Sequence, residues 1–297
     1  METVLLKRAV GGAHTSGYVR NGDLPAHIYD FHNRFFTQAF SVSRASAATF
    51  FSQTGSLVTV SENEARLGPG GLLLEDAATN LWDGSVTTQS QLQSVGPEFI
   101  DSGMSFSPIT DDGDGFLQFD AVNISGLSNS AIVRYSIVLR DLGAGQVDFW
   151  VGIGTTGSAR LRYTLDLTQG TVAAWGNPDN VTSTGYLVPL APGTYRAIFE
   201  VPLVSADTTE LCRLTSFSGS VAFAHPQAEA GPVVSTPIAS GETERAADVV
   251  SFGIPDGTYD WSVKLAGQPE TMATVTLVGG APLGSPLTGV IERVLFF

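Results

Sequence analysis

One cysteine, Cys212, serves a chain of 297 residues. No disulfide can close within the chain, and no cysteine zinc site can be built. Lysine is nearly missing too: Lys7 and Lys264 are the only two, and every other basic residue is arginine. Arginine makes planar, bidentate contacts that suit ordered ion pairs and interfaces; a codon bias toward arginine accounts for the same pattern. Charged residues are only 15% and the net charge is −14. A basic face for nucleic acid is therefore not expected. No apolar run approaches the roughly 18 residues of a membrane-crossing helix. The opening residues, Met1 to Arg8, lack the charged-then-apolar order of a signal peptide. A soluble protein made in a cytoplasm is expected, released by lysis within a particle if it works outside cells. Windows with a sustained period of 3.6 are absent as well, so no helix longer than about three turns is expected.

Hydrophobic residues make up 43%, enough for a sizeable core. The 33 glycines and 15 prolines follow no fixed period, which excludes collagen and points to many turns. With abundant Ser, Thr and Val, the expected class is all-β.

Residues 1–40 break every periodic pattern yet carry Tyr18, Tyr29, Phe31, Phe35 and Phe36. So many aromatics in a loop-like segment need cover, so Tyr29, Phe31, Phe35 and Phe36 are expected to dock on a neighbouring subunit or a particle. His14, His27 and His32 also lie here, at spacings that match no metal motif, and packing roles are expected for them. Residues 70–82, Gly-Gly-Leu-Leu-Leu-Glu-Asp-Ala-Ala-Thr-Asn-Leu-Trp, read as a short buried strand running into a polar corner, with Leu73 and Leu81 as core residues. Asp111, Asp112 and Asp114 stand beside glycines and are a calcium candidate. The alternate oxygens and distant glutamate of a calcium loop are missing, so a solvated turn is the preferred reading.

Residues 130–201 alternate most clearly. Val133, Tyr135, Ile137 and Leu139 share one face of a strand. Val147, Phe149 and Val151 alternate with Asp148 and Trp150; Leu161, Tyr163 and Leu165 with Arg160, Arg162 and Thr164; Tyr195, Ala197, Phe199 and Val201 with Arg196 and Glu200. One face of each strand is buried and the other wet. Such strands, parted by Gly-rich turns, predict an antiparallel β-sandwich or jelly roll. The glycines at 152, 154 and 157 fit G-x-G-x-x-G, but an alternating strand follows them where a dinucleotide site needs a helix. Strand text continues from 209 to the apolar end, Leu295-Phe296-Phe297.

Three stretches together resemble a known pattern: residues 43–50 with 55–57 and 64–67, residues 71–81, and residues 226–248, which run from Pro226-Gln227-Ala228-Glu229 to Arg245-Ala246-Ala247-Asp248. Their order and spacing are similar to tailed-phage virion proteins of the fibre, head-spike and receptor-binding kind, related forms of which occur in gene transfer agents. The resemblance covers roughly residues 40–297. It implies a concanavalin-like (carbohydrate-binding-module-like) jelly roll at 83–250, mounted on a frame of strands at 41–82 and 251–297, behind an N-terminal attachment arm at 1–40. Across that frame Arg66 or Arg245 is expected to pair with Glu75 or Asp248. The resemblance further implies location in the virion, docking on other virion proteins through the arm and assembly as a homo-oligomer, a trimer.

Three functions follow. The first is a virion subunit that binds a bacterial surface glycan through the wet face of its sandwich, with Trp150, Trp175, Arg134, Arg160, Arg162 and Arg196 as the candidate residues. Sugar sites need flat aromatics beside planar hydrogen-bonding groups; an out-of-register Trp also serves to cover a second layer or a subunit contact. The second is a purely structural capsid or tail decoration protein. The third is a glycan-degrading enzyme using acids among Asp111, Asp112, Asp114, Asp148 and Glu200. No G-x-S-x-G elbow or H-E-x-x-H occurs, so no catalytic residues are assigned and no enzyme is expected. No cofactor is expected.

Overall fold

The computed structural model describes residues 18–20, 22–82, 86–87, 94–95, 97–112, 116–124, 127–128, 131–153, 159–175, 183–203, 209–215, 218–231, 234–238, 244–284 and 287–297. Among them the fold is all-β, built of antiparallel sheets with no α-helix. The chain divides into two compact units. Unit 1 takes residues 1–53, 58–77 and 245–297; unit 2 takes 54–57 and 78–244.

Unit 1 is built on a sheet whose central member is the last strand, Gly289–Phe296. One edge of that strand takes His27–Asp30 and Gly71–Leu74 end to end, and the other takes Gly257–Leu265. Phe35–Phe36 extends the sheet beyond His27–Asp30, and Thr271–Val278 extends it beyond Gly257–Leu265. The apolar C-terminal residues are thus the middle of a sheet. The aromatics of the first 40 residues are spent here as well. Tyr29, Phe31 and Phe36 are buried among Phe40, Phe252, Trp261 and Phe296. Ring centroids lie 4.7 Å apart for Tyr29 and Phe252 and 5.0 Å apart for Phe31 and Phe40. Phe35 is half-buried and stacks on Tyr18. The expected docking role of Tyr29, Phe31 and Phe36 is therefore corrected: their cover is the unit's own core. Leu73 needs correction too. Leu72 and Leu74 are buried, and the strand's alternation turns Leu73 to the half-exposed face.

Unit 1 also buries charge. Arg44, Arg66 and Arg245 are among its largest wholly buried side chains. Arg66 pairs with both Glu75 and Asp248, Arg44 with Asp248 at 2.8 Å, and Arg245 with Glu75 at 2.8 Å. Three cations face two carboxylates, and backbone oxygens take up several of the other donors. Ser46 and Ser61 accept from Arg44, Thr49 from Arg66 and Asp76 from Arg245. Buried guanidinium groups are tolerated only with this degree of pairing.

Unit 2 is a β-sandwich. One sheet runs in the order Ser94–Val95, Met104–Asp112, Ser218–Ala230, Ile132–Asp141, Thr194–Pro202, Thr184–Ala191. The other runs Thr171–Trp175, Ala159–Asp166, Gln146–Ile153, Thr209–Thr215, Phe116–Asn123, Val86–Thr87. The alternating residues of the sequence make the filling: Val133, Tyr135, Ile137 and Leu139 from the first sheet meet Val147, Phe149, Val151, Leu161 and Tyr163 from the second. Phe149 and Phe199 stack across the sheets with centroids 4.2 Å apart. Each such ring contributes about 1.5–3 kcal/mol by leaving water. Cys212 is buried in this core as a small apolar side chain. Leu81 packs only partly against it, while Trp82 is buried within it.

Candidate functional site

Because core residues take every second position, the intervening residues of the second sheet form its outer face. Strand register aligns several of them. Gln118 lies opposite Arg213, Arg213 opposite Trp150, Trp150 opposite Arg162, and Arg162 opposite Trp175. Five adjacent strands thus carry one transverse row. From Gln118 to Arg162 it spans about 14 Å at the usual interstrand spacing. Trp150, Arg162 and Arg213 are each half-buried, so each keeps a wet part.

The row is ordered by its neighbours. The Arg162 guanidinium lies 5.1 Å from the Trp150 ring centroid. Its Nε donates to Asp148 Oδ2 at 2.9 Å, and Thr164 Oγ1 donates to Asp148 Oδ1 at 2.6 Å. Asp148 is thereby fixed and nearly buried, and it neutralises Arg162. Arg213 Nε donates to Gln118 Oε1 at 3.1 Å, and its guanidinium lies 4.7 Å from the Phe116 ring centroid. Both arginines are held in plane against an aromatic, which costs little further entropy when a ligand arrives. The arrangement offers a flat ring flanked by planar donors. Such a surface can stack on the apolar face of a sugar while bonding to its hydroxyls.

Of the six candidate residues, Trp150 and Arg162 are brought together here. Trp175 and Arg160 sit on the strands Thr171–Trp175 and Ala159–Asp166, with side chains outside the described residues. Arg134 and Arg196 belong elsewhere. They project from the first sheet, on the opposite outer face of the sandwich, and both are nearly buried. Arg134 Nε donates to Glu200 at 2.9 Å. Arg196 donates to Ser136 Oγ at 2.8 Å and to the Ser235 carbonyl at 2.6 Å. Residues 234–238 cover this face, where Gln227 Oε1 accepts from Ile238 N and Glu229 Oε2 from Ser235 N. Burial, reinforced by Arg196, pushes the His225 imidazole below its ordinary pKa there. The assignment of Arg134 and Arg196 to the glycan face is corrected: alternation shows which side of a strand is wet, not which sheet the strand joins. Arg213 was not singled out by sequence, although its place between the buried Cys212 and Leu214 marks it as outward-facing.

The acids considered for catalysis are dispersed. Asp148 and Glu200 project from opposite faces of the sandwich, too far apart to flank one glycosidic bond. Asp111 and Asp112 end the strand Met104–Asp112; their side chains and all of Asp114 lie outside the described residues. Among the described residues no group of three His, Cys, Asp or Glu could hold a metal ion. Gly152 is followed by the strand Ala159–Asp166, as the rejection of a dinucleotide loop required. Neither a protein-family model nor a curated protein matches this sequence, so the reading of the site rests on its geometry.

Proposed function

We propose that this chain is a fibre- or spike-type subunit of a tailed-phage particle, and that its sandwich binds a bacterial surface glycan through the outer face of the second sheet. The observation that carries the glycan part is the row Gln118–Arg213–Trp150–Arg162, with its ring and guanidinium planes pre-set. The virion part is supported by the resemblance of residues 43–81 and 226–248 to proteins of such particles. The pairs expected across the frame are present: Arg66 and Arg245 with Glu75, and Arg66 with Asp248. We further propose that the sandwich is a jelly roll. The strand order supports this: Met104–Asp112, Ser218–Ala230, Ile132–Asp141, Thr194–Pro202 in one sheet and Phe116–Asn123, Thr209–Thr215, Gln146–Ile153, Ala159–Asp166 in the other.

Docking on other virion proteins through the N-terminal segment, and assembly as a trimer, belong to the same proposal. Tyr29, Phe31 and Phe36 no longer support the docking, since they are used in the core of unit 1. Binding without catalysis is the preferred activity, given the dispersal of Asp148 and Glu200.

Two experiments test this. An image of the particle labelled at this protein should place the label on a fibre or spike; a label absent from particles ends the virion reading. The isolated protein should bind members of a panel of bacterial surface polysaccharides. Binding to none would leave a purely structural subunit.

A further inference from the structure

We infer that the glycan taken by this face carries a carboxylate, as a uronic acid does, and that Arg213 is the group that holds it. The inference rests on the glycan-binding reading above and adds the charge of the ligand to it.

Most arginines of the sandwich are already engaged. Arg134 pairs with Glu200, Arg140 with Asp101 and Arg162 with Asp148. Arg196 donates to Ser136 and to the Ser235 carbonyl. Among the described residues Arg213 pairs with no carboxylate, and only its Nε is engaged, by the neutral amide oxygen of Gln118. That single bond and the Phe116 ring fix the guanidinium plane. The far edge, with Nη1 and Nη2, is the edge that matches two carboxylate oxygens in a bidentate pair.

Charge balance points the same way. Among the described residues Asp148 cancels Arg162, and no carboxylate cancels Arg213. A single monoanionic group satisfies it. Placement agrees as well. Arg162 covers one face of the Trp150 ring, and register sets Arg213 on the other side of Trp150. A sugar ring stacked against Trp150 would reach Arg213 with a carboxylate one bond off the ring.

The test uses the whole protein and a panel of bacterial surface polysaccharides, some neutral and some containing uronic acid. Each one bound is measured again after chemical reduction of its carboxyl groups to primary alcohols. The expected result is binding confined to the uronate-containing members and lost on reduction. Arg213→Gln should weaken binding at least about tenfold, as the loss of a charge-assisted pair does, while Arg213→Lys retains part of it. Melting temperatures of both variants establish that they are folded. Equal binding of the native and reduced forms, or of neutral members, overturns the inference while glycan binding stands. So does full affinity in a folded Arg213→Gln variant. Binding to no member at all removes the glycan reading and this inference with it.

Discussion

Arg44 Nη1 donates to Asp248 Oδ1 at 2.8 Å across 204 residues of sequence, and neither side chain touches solvent. Asp248 Oδ2 meanwhile accepts from Arg66 and from the Glu75 backbone N–H. One carboxylate therefore ties three separate stretches of unit 1. Asp248→Ala removes the one carboxylate paired with buried Arg44 and leaves Arg66 to share Glu75 with Arg245, and should cost about 3–5 kcal/mol in chemical denaturation. A loss under about 1 kcal/mol would show that water or backbone oxygens suffice to hold Arg44 and Arg66.

The seam at residues 70–74 supplies a paired comparison. Leu74 is buried and Leu73 half-exposed. Leu74→Ala should cost about 2–5 kcal/mol and Leu73→Ala clearly less. Gly71 sits at φ +135°, and a Cβ there would lie 2.1 Å from the Ile291 carbonyl oxygen. Gly71→Ala should therefore destabilise by more than about 1 kcal/mol. Equal melting of Leu73→Ala and Leu74→Ala would refute the assigned faces.

His27–Asp30 and Phe35–Phe36 are sheet, and Tyr29, Phe31 and Phe36 are core. Deleting residues 1–36 uncovers the edge of Gly289–Phe296 and removes Tyr29, Phe31 and Phe36 from the core. The expected product aggregates, because an open apolar strand edge seeks a partner. Gel filtration decides: a well-folded truncated protein with the native melting temperature contradicts this placement.

Stability should fall in mild acid. His225 has its pKa held below 6.5 by burial and then by Arg196. The unfolded chain takes up the proton more readily, so the contribution is complete above about pH 6.5 and lost as pH falls through the folded value. Burial lowers His27 with the same sign. The denaturation midpoint should drop between about pH 7 and pH 5, and His225→Asn should remove part of the drop; Asn suits the left-handed backbone at this position, φ 48°. Identical pH profiles for the two proteins would exclude His225 as the cause.

Much of the sandwich was legible because alternation is a local signal. The strands expected at 146–153 and 194–201 appear at Gln146–Ile153 and Thr194–Pro202, with the expected residues inward. Sheet membership was not legible. Arg134 and Arg162 alternate alike, and only long-range pairing sends one to each sheet. The row through Arg213 and Trp150 was hidden for the same reason, since it depends on the register of strands some sixty residues apart. The first 40 residues misled because a four-residue strand shows almost no period, and the partner of His27–Asp30 lies at the far end of the chain.

The central claim is that Trp150 is the ring on which a glycan lies. Titration calorimetry of the isolated protein with a bound member of the polysaccharide panel tests it most directly. Trp150→Ala should weaken binding by about tenfold or more, as loss of a central aromatic anchor does, and Trp150→Phe should keep most of it. Near-ultraviolet circular dichroism checks that the sandwich is intact in both. Undiminished affinity in a folded Trp150→Ala protein would contradict the account.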